Sequence, residues 1–328
     1  EHAVSYLMAG LFETHDRAQF ETMAISFSPR YNNEMSERVR AAFGQFVEAF
    51  DKNSRTVAEL MLELEVDIAV DLMGFTLHSR TAILAHRPAP IQVNYLGYPG
   101  TMGTEYMDYI IADDFVIPRE TQGRYTEKVV YLPGAFQVND DRRKRPGKLP
   151  TRLEAGLPDS GFVFCSFNGN YKINPPVFDV WMRLLEQVPG SLLWLVARNM
   201  GAQDNLRREA ANRGIEPRRL IFAPELGYGD HLTRLQLADL FLDTLPYNAG
   251  TTASDALWAG VPVLTCEGEA FASRMAGSLL TAVGLPELIT RNLVDYEALA
   301  LHLAREPAAL SEIRAELARA DNQIYFDS

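Results

Sequence analysis

Cysteine is scarce in this chain, and its scarcity excludes two kinds of stabilising site. Only two cysteines occur among the 328 residues, Cys165 and Cys266, and each stands inside an apolar, strand-like run. Two cysteines cannot form the disulfide framework of a small secreted domain or a cysteine-based zinc site. We therefore expect buried free thiols in a reducing compartment.

Positive charge is also in short supply. The chain has 31 Lys and Arg against 43 Asp and Glu, for a formal net charge of -12. Binding to nucleic acid depends on clustered Lys and Arg opposite phosphates, so this balance argues against a nucleic-acid partner. The apolar runs are too short to span a bilayer, and no basic segment precedes an apolar one at the amino terminus. We expect a cytoplasmic protein without membrane contact.

Several familiar signatures are missing as well. The sequence has no G-x-G-x-x-G after a strand, no G-x-x-x-x-G-K-[ST], no H-E-x-x-H and no G-x-S-x-G. These absences exclude a dinucleotide fingerprint, a P-loop, a zincin helix and a hydrolase nucleophile elbow. No D-x-D element is present to hold a divalent metal beside a diphosphate, so we expect neither a metal nor another cofactor.

The patterns that are present indicate an α/β protein with two domains. Short β-rich apolar runs alternate with segments of 3.6-residue periodicity, such as 35–50, which is typical of mostly parallel sheets covered by helices. Charge, Pro and Gly replace this rhythm around the middle of the chain. We predict an amino-terminal domain over residues 1–140, a linker over 141–160 and a carboxy-terminal domain over 161–328.

One segment of the second half predicts an anion site at a helix amino terminus. In LDTLPYNAGTTASDALWAGVPVLT, residues 242–265, a strand is followed by Pro and Gly, and Thr251 or Thr252 can cap the next helix. The unpaired N–H groups of that first turn favour a phosphate, and Asp255 could accept hydrogen bonds from a ribose. The same pattern also fits a well-capped helix with no ligand.

Two further segments supply cations at comparable positions. Lys172 lies in CSFNGNYKINP, again between a strand and a helix, where it could neutralise a leaving phosphate. His231 and Arg234 lie three residues apart on one face of a predicted helix and could contact a base and a phosphate. A solvated loop lysine and a structural His with a paired Arg are the alternatives.

The first half offers a glycine-rich turn after a strand, in RPAPIQVNYLGYPGTMG at residues 87–103. Its glycines allow a backbone to approach a ligand closely, or serve only a structural turn. The candidate residues here are Gly97, Pro99, Gly100 and Thr101. His2, ahead of an amphipathic helix, has no role that its local sequence suggests.

These segments together resemble the catalytic region of the O-linked N-acetylglucosamine transferase family, glycosyltransferase family 41, in its bacterial form. The resemblance extends over nearly the whole chain. It is carried, besides these segments, by YMDYIIAD at residues 106–113 and by ASRMAGSLLTAVGLPELI at residues 272–289. It implies a GT-B architecture, in which two Rossmann-like domains face each other across a donor-binding cleft. It also implies transfer of GlcNAc from UDP-GlcNAc to Ser or Thr hydroxyls of proteins, with inversion and without a metal.

The resemblance assigns a role to each candidate. Lys172, Thr251 and Thr252 would contact the diphosphate and Asp255 the ribose, with His231 and Arg234 beside the nucleotide. The turn at 97–101 would face the donor sugar. His2 aligns with an active-site histidine of the family, proposed as the general base.

The chain also departs from the family's pattern. Gly250, Gly169 and Tyr228 stand where many relatives or the animal enzymes have histidine, glutamine and lysine. By the resemblance, the chain is expected to lack a first strand and part of a last helix, and tetratricopeptide repeats are expected ahead of it in a longer protein. Another donor, such as GDP-fucose or UDP-glucose, and a catalytically idle scaffold that binds sugar nucleotides stay open as alternatives.

Overall fold

The chain forms two compact α/β units, which divide between residues 143 and 144. The structure is a computed structural model that describes residues 3–29, 31–143, 147–197 and 199–320. Within these residues, the strand pairs of both units are parallel. The α/β class expected from the sequence is confirmed.

The first unit contains a two-stranded and a four-stranded parallel sheet. The four strands of the larger sheet follow one another in chain order. The elements of this unit are α1 (Ala3–Thr14), β1 (Met23–Ser26), α2 (Glu34–Ala41), β2 (Gln45–Glu48), α3 (Ser54–Glu63), β3 (Ile68–Asp71), β4 (Ile91–Asn94), β5 (Tyr109–Ala112) and β6 (Lys128–Tyr131).

The helix predicted over residues 35–50 was wrong in its second half. The helix α2 ends at Ala41, and β2 then pairs in parallel with β1 along its four residues. Gly44 interrupts the helix, and the four residues of β2 are too few for their apolar spacing to distinguish a helical from a strand period. Pairing with β1 therefore decided the structure of this segment.

The second unit contains a six-stranded parallel sheet, whose strands lie in the order β12-β11-β10-β7-β8-β9. Its strands are β7 (Val163–Ser166), β8 (Leu192–Leu195), β9 (Leu220–Phe222), β10 (Leu240–Leu242), β11 (Val263–Cys266) and β12 (Ile289–Thr290). Its helices are α4 (Pro175–Gln187), α5 (Met200–Asn212), α6 (Tyr228–Leu235), α7 (Thr251–Trp258), α8 (Met275–Ala282), α9 (Leu293–Arg305) and α10 (Pro307–Ala320).

The core of the second unit lies around this sheet. Every residue of β7, β8 and β11 is buried, as expected for parallel strands with helices on both faces. The stretch 147–160, predicted as linker, belongs to this unit. Within it, Leu157 is buried and the Gly147 N–H donates to Thr233 Oγ1 at 2.9 Å.

Candidate active site

In the second unit, the carboxyl ends of two neighbouring strands lie at the point where the order of strands in the sheet reverses. The strands β7 and β10 are neighbours, and the chain winds from them toward opposite edges of the sheet. In open α/β sheets, ligands bind in the crevice beyond the carboxyl ends of the strands at such a switch point. The segments that follow β7 and β10 carry Lys172, Thr251 and Thr252.

Lys172 lies over the loop that follows β10. Its Nζ donates to the Asn248 carbonyl at 2.8 Å and stands 3.9 Å from the centroid of the Tyr247 ring. Burial lowers the pKa of Lys172 from 10.5 to about 8, although the charge of Asp243 acts in the opposite direction. The ammonium group is thus held at the switch point rather than in a solvated loop.

Asn168 joins the ends of β7 and β10. Its Nδ2 donates to Asp243 Oδ1 at 3.2 Å and to Thr244 Oγ1 at 3.1 Å. Its Oδ1 accepts a hydrogen bond from Thr252 Oγ1 at 2.7 Å. The Thr252 hydroxyl proton is therefore directed at Asn168, which leaves the oxygen lone pairs and the backbone N–H of Thr252 as its means of contacting a ligand.

Helix α7 begins one or two residues earlier than a cap at Thr251 or Thr252 predicts. Gly250 is the N-cap, and Thr251 and Thr252 are the first two helical residues rather than caps. Gly250 has no side chain that could accept from the first N–H groups of α7. These donors, together with the helix dipole, suit a phosphate group.

Asp255 lies one turn into α7 and is 4% exposed. Tyr228, the first residue of α6, donates from its hydroxyl to Asp255 Oδ1 at 2.8 Å. The bond fixes the orientation of a carboxylate that the sequence assigns to a ribose. The sequence identified Tyr228 only as a departure from relatives, and this partnership links two helices that the sequence keeps 27 residues apart.

His231 and Arg234 share one face of α6, as predicted, but their side chains bond to each other. Arg234 is 4% exposed, donates from Nη2 to His231 Nδ1 at 3.0 Å and donates from Nη1 to the Pro224 carbonyl. Its guanidinium lies 5.2 Å from the centroid of the Phe167 ring. Arg234 is therefore turned inward and positions His231.

Burial and the neighbouring Arg234 charge lower the pKa of His231 from 6.5 to about 4. At neutral pH the imidazole is uncharged. Because a guanidinium can only donate, Nδ1 must be the acceptor, which places the ring proton on Nε2. The ring lies 5.4 Å from that of Phe167 at an interplanar angle of 39°. His231 thus presents a neutral, partly exposed ring next to the carboxyl end of β7.

In the first unit, the glycine-rich turn is bonded to its own surroundings. A Cβ atom on Gly97 would lie 1.9 Å from the Leu72 carbonyl oxygen, so this glycine allows close approach of the chain to itself. The Gly100 carbonyl accepts from Asn94 Nδ2 at 2.9 Å, and Thr101 Oγ1 donates to Glu127 Oε2 at 2.5 Å. Pro99 lies within the same turn. The turn is hydrogen-bonded to neighbouring residues of its own unit, and its contact with a donor sugar stays a prediction.

Comparison with known proteins decides the family. A sequence profile described as glycosyl transferase family 41 matches residues 1–146 and 144–327. The chain belongs to glycosyl transferase family 41.

Relatives of this family 41 chain include two from eukaryotes. It is 37% identical over 322 residues to a probable UDP-N-acetylglucosamine--peptide N-acetylglucosaminyltransferase SEC of Arabidopsis thaliana, covering 96% of this chain and 33% of the relative. It is 26% identical over 438 residues to a UDP-N-acetylglucosamine--peptide N-acetylglucosaminyltransferase of Caenorhabditis elegans, covering 99% of this chain and 38% of the relative. The chain thus spans about a third of the length of the curated relatives it matches.

Solved structures agree with the family 41 assignment. A mutant of the O-GlcNAc transferase of Thermobaculum terrenum has a TM-score of 0.92 and 32% identity, covering 99% of this chain and 62% of that one. The lipopolysaccharide outer core galactosyltransferase WaaB, at 11% identity and a TM-score of 0.57 over 99% of this chain and 93% of that one, shares the fold alone. The GT-B class implied by the resemblance is confirmed.

The remaining candidate, His2, lies outside the described residues, so its role stays a prediction. The described part of this family 41 chain contains no group of three or more His, Cys, Asp or Glu placed to share a metal ion. Within that same part, no helix is long and apolar enough to cross a bilayer.

Sequence reasoning missed the buried polar residues that connect the candidates. Asp243 follows a buried strand directly, Asn168 follows another after one intervening residue, and Asn248 precedes the Gly250 cap. A polar residue at the carboxyl end of an apolar strand is a signal that could have identified the first two. Their partners could not be foreseen, because the bonds of Asn168 join residues that lie 75 to 84 positions apart.

Proposed function

We propose that this chain is the catalytic region of a glycosyltransferase that moves GlcNAc from UDP-GlcNAc to Ser or Thr hydroxyls of proteins, with inversion and without a metal. The activities for which the relatives are named indicate the donor and the peptide acceptor. The geometry of the second unit supplies a site suited to the nucleotide.

A single observation carries the proposal. Lys172, after β7, and the uncapped amino terminus of α7, after β10, converge at the switch point of one sheet. Lys172 donates a hydrogen bond to Asn248 in the loop after β10, and α7 begins where this loop ends. A cation and a helix amino terminus beyond the carboxyl ends of two neighbouring strands are complementary to a diphosphate, the leaving group of a sugar nucleotide.

The transfer step follows from these charges. The acceptor Oγ attacks the anomeric carbon of GlcNAc from the face opposite the diphosphate, and the bond from that carbon to the phosphate oxygen breaks. The electron pair of that bond goes to the UDP oxygen, where Lys172 and the α7 N–H groups offset the new negative charge. The acceptor hydroxyl proton goes to a general base, and His2 is the residue we propose for this role.

The other candidates recognise the rest of the donor in this proposal. Asp255, oriented by Tyr228, accepts from the ribose hydroxyls, and the neutral ring of His231 packs against the base. Thr251 and Thr252 contact the phosphates at the first turn of α7. The turn holding Gly97, Pro99, Gly100 and Thr101 faces the sugar. Acceptor proteins are recruited by repeats that precede this region in a longer protein.

The first experiment tests the donor. Purified chain is incubated with an acceptor protein and, separately, UDP-GlcNAc, UDP-glucose or GDP-fucose, and nucleotide release and acceptor mass are measured. We expect UDP release and a GlcNAc mass increment with UDP-GlcNAc, unchanged by EDTA. Preference for another donor would replace the sugar in the proposal. UDP binding in calorimetry without turnover by any donor would favour a sugar-nucleotide-binding scaffold instead.

The second experiment tests Lys172. Lys172→Met should reduce transfer by at least about 100-fold, because one preorganised donor to a developing oxyanion contributes roughly that much. Its thermal unfolding midpoint should stay close to that of the unaltered chain. Lys148→Met, which changes an exposed lysine of the same unit, is the matched control and should retain full activity. Equal turnover by the two variants would refute the role given to Lys172.

A further inference from the structure

Asp243 is a buried carboxylate that the proposed chemistry does not use. It follows β10 directly, at the switch point, and is 2% exposed. Its Oδ1 accepts from the Thr244 N–H at 2.7 Å, from the Ala249 N–H at 2.7 Å and from Asn168 Nδ2 at 3.2 Å. Its Oδ2 accepts from Thr265 Oγ1 on β11 at 2.7 Å. A carboxylate that costs free energy to bury is thus retained with four donors around it.

The bonds of Asp243 fix both ends of the loop from Thr244 to Ala249. Thr244 is its first residue and Ala249 its last, and Gly250, the N-cap of α7, follows immediately. The Asn248 carbonyl that receives the Lys172 ammonium belongs to the same loop. The carboxylate therefore sets the positions of both groups that are assigned to the diphosphate.

The charge of Asp243 also acts on Lys172. Among the described residues, the titratable side chains that face Asp243 are Lys172, Tyr296 and Cys266. Burial raises the pKa of Tyr296 and of Cys266, so both are neutral near pH 7. Burial likewise raises the pKa of Asp243 to about 6, so the group is mostly ionised at neutral pH. Lys172 is thus the cation that its negative charge stabilises.

We propose that Asp243 is a positioning residue of the nucleotide site, whose carboxylate orders the loop before α7 and whose negative charge keeps Lys172 protonated for the diphosphate. This inference rests on the proposed function. The Asp243 side chain makes two contributions, a set of hydrogen bonds and a charge, and the charge can be removed while the hydrogen bonds are kept.

Asp243→Asn removes the charge and keeps the hydrogen bonds. The amide oxygen can take the place of Oδ1 and accept from the same three N–H groups. The amide nitrogen then faces Thr265 Oγ1, which can accept as well as donate. Asp239→Asn is the matched control, because Asp239 lies at the opposite end of β10 and accepts from the Val163 N–H there.

The measurement is the UDP dissociation constant by calorimetry at several pH values, expressed as the ratio of variant to unaltered chain. At pH 6 Lys172 is protonated in both proteins, so the ratio for Asp243→Asn should be near one. At pH 8.5 we expect a ratio of about ten, which corresponds to a fall of one in the Lys172 pKa. Titration of UDP itself cancels in the ratio. Asp239→Asn should give a ratio near one throughout.

Two further variants sharpen the outcome. In a Lys172→Met background, Asp243→Asn should have no pH-dependent effect, because the group on which the charge acts is gone. Asp243→Ala removes the hydrogen bonds too and should weaken UDP binding at every pH. If that variant fails to fold, the loss supports the role of the bonds, and Asp243→Asn alone decides the role of the charge.

The outcomes distinguish this inference from the function on which it rests. UDP binding by the unaltered chain with a ratio that is flat from pH 6 to 8.5 would overturn the role of the Asp243 charge and leave the proposed function intact. A persistent pH-dependent ratio in the Lys172→Met background would overturn it as well. Failure of the unaltered chain to bind UDP at any pH would overturn both.

Discussion

The strands of the six-stranded sheet all begin at one side, called here the amino edge, and all end at the other, called the carboxyl edge. Each of these two sides holds an arginine and one end of β10, but the two arginines have different roles. At the amino edge, Arg219 donates to the carbonyls of Leu185, Val188 and Ser191 at 2.6, 3.1 and 2.8 Å. Asp239, at the start of β10, accepts from the Val163 N–H at 2.8 Å. Arg219 satisfies carbonyl groups at the end of a helix, and Asp239 satisfies an N–H group at the start of a strand. Both roles are structural.

At the carboxyl edge, polar atoms are buried without protein partners. Among the described residues, Arg234 Nε, Ser166 Oγ and Asn248 Oδ1 are such atoms. A buried polar group without a partner is costly and uncommon. A cavity of about 570 Å³ lies at the amino edge instead, lined in part by Gly190 and Arg219. The edge suited to a ligand is therefore identified by its unpaired buried polar atoms and its converging charged groups, and not by the size of a cavity.

The largest expected effect comes from replacing each of the two arginines, the buried Arg234 and the partly buried Arg219, by methionine. Arg234→Met should weaken UDP binding about 30-fold, because loss of hydrogen bonds from a charged group costs about 2 kcal/mol and releases His231 from its fixed orientation. Arg219→Met should lower the unfolding midpoint and leave the UDP dissociation constant unchanged. Calorimetry and thermal melts on both variants check this. Equal loss of UDP affinity in the two would abolish the functional distinction between the edges.

A second test uses the titration of Lys172 at the carboxyl edge. Burial holds its pKa at about 8, below 10.5, and a bound diphosphate favours the protonated form. UDP affinity should therefore be fully present well below pH 8 and fall as pH rises, to about a tenth of its full value at pH 9. Calorimetry across this range measures the slope. A slope retained in Lys172→Met would assign the titration to another group.

The smallest expected effect concerns Tyr228 at the start of α6. Tyr228→Phe removes the hydrogen bond to Asp255, and a loss of about 1 kcal/mol predicts a dissociation constant for UDP about fivefold higher. Binding of inorganic diphosphate, which has no ribose, should change little. Tyr31→Phe, at a half-exposed tyrosine of the first unit, is the control. An equal effect on UDP and diphosphate would show that Tyr228 does not act through the ribose.

Much of the fold could be predicted from the sequence, because long alternating segments carry strong signals. The short apolar runs at Tyr109–Ala112 and Leu220–Phe222 occur as strands. The segment at Gln45–Glu48 was mistaken for helix, because four residues are too few to define a period and pairing with β1 decided their conformation.

The sequence predicted the groups of the candidate site that are assigned to the ligand, but not the buried residues that hold these groups in place. Lys172 and the start of α7 follow local patterns, a cation or a capped helix next to a strand end. Asn168 and Asp243 act through partners on other strands, and local patterns contain no record of such partners.

The sequence by itself determined the α/β alternation, the family and the presence of a lysine and a helix start at two strand ends. Tertiary structure alone decided that these two ends adjoin, since the order of strands in a sheet is set by packing and crossover connections. It also turned Arg234 inward and placed the Asp243 charge near Lys172. Burial and electrostatic interaction depend on distances through space, and these exist only once the chain has folded.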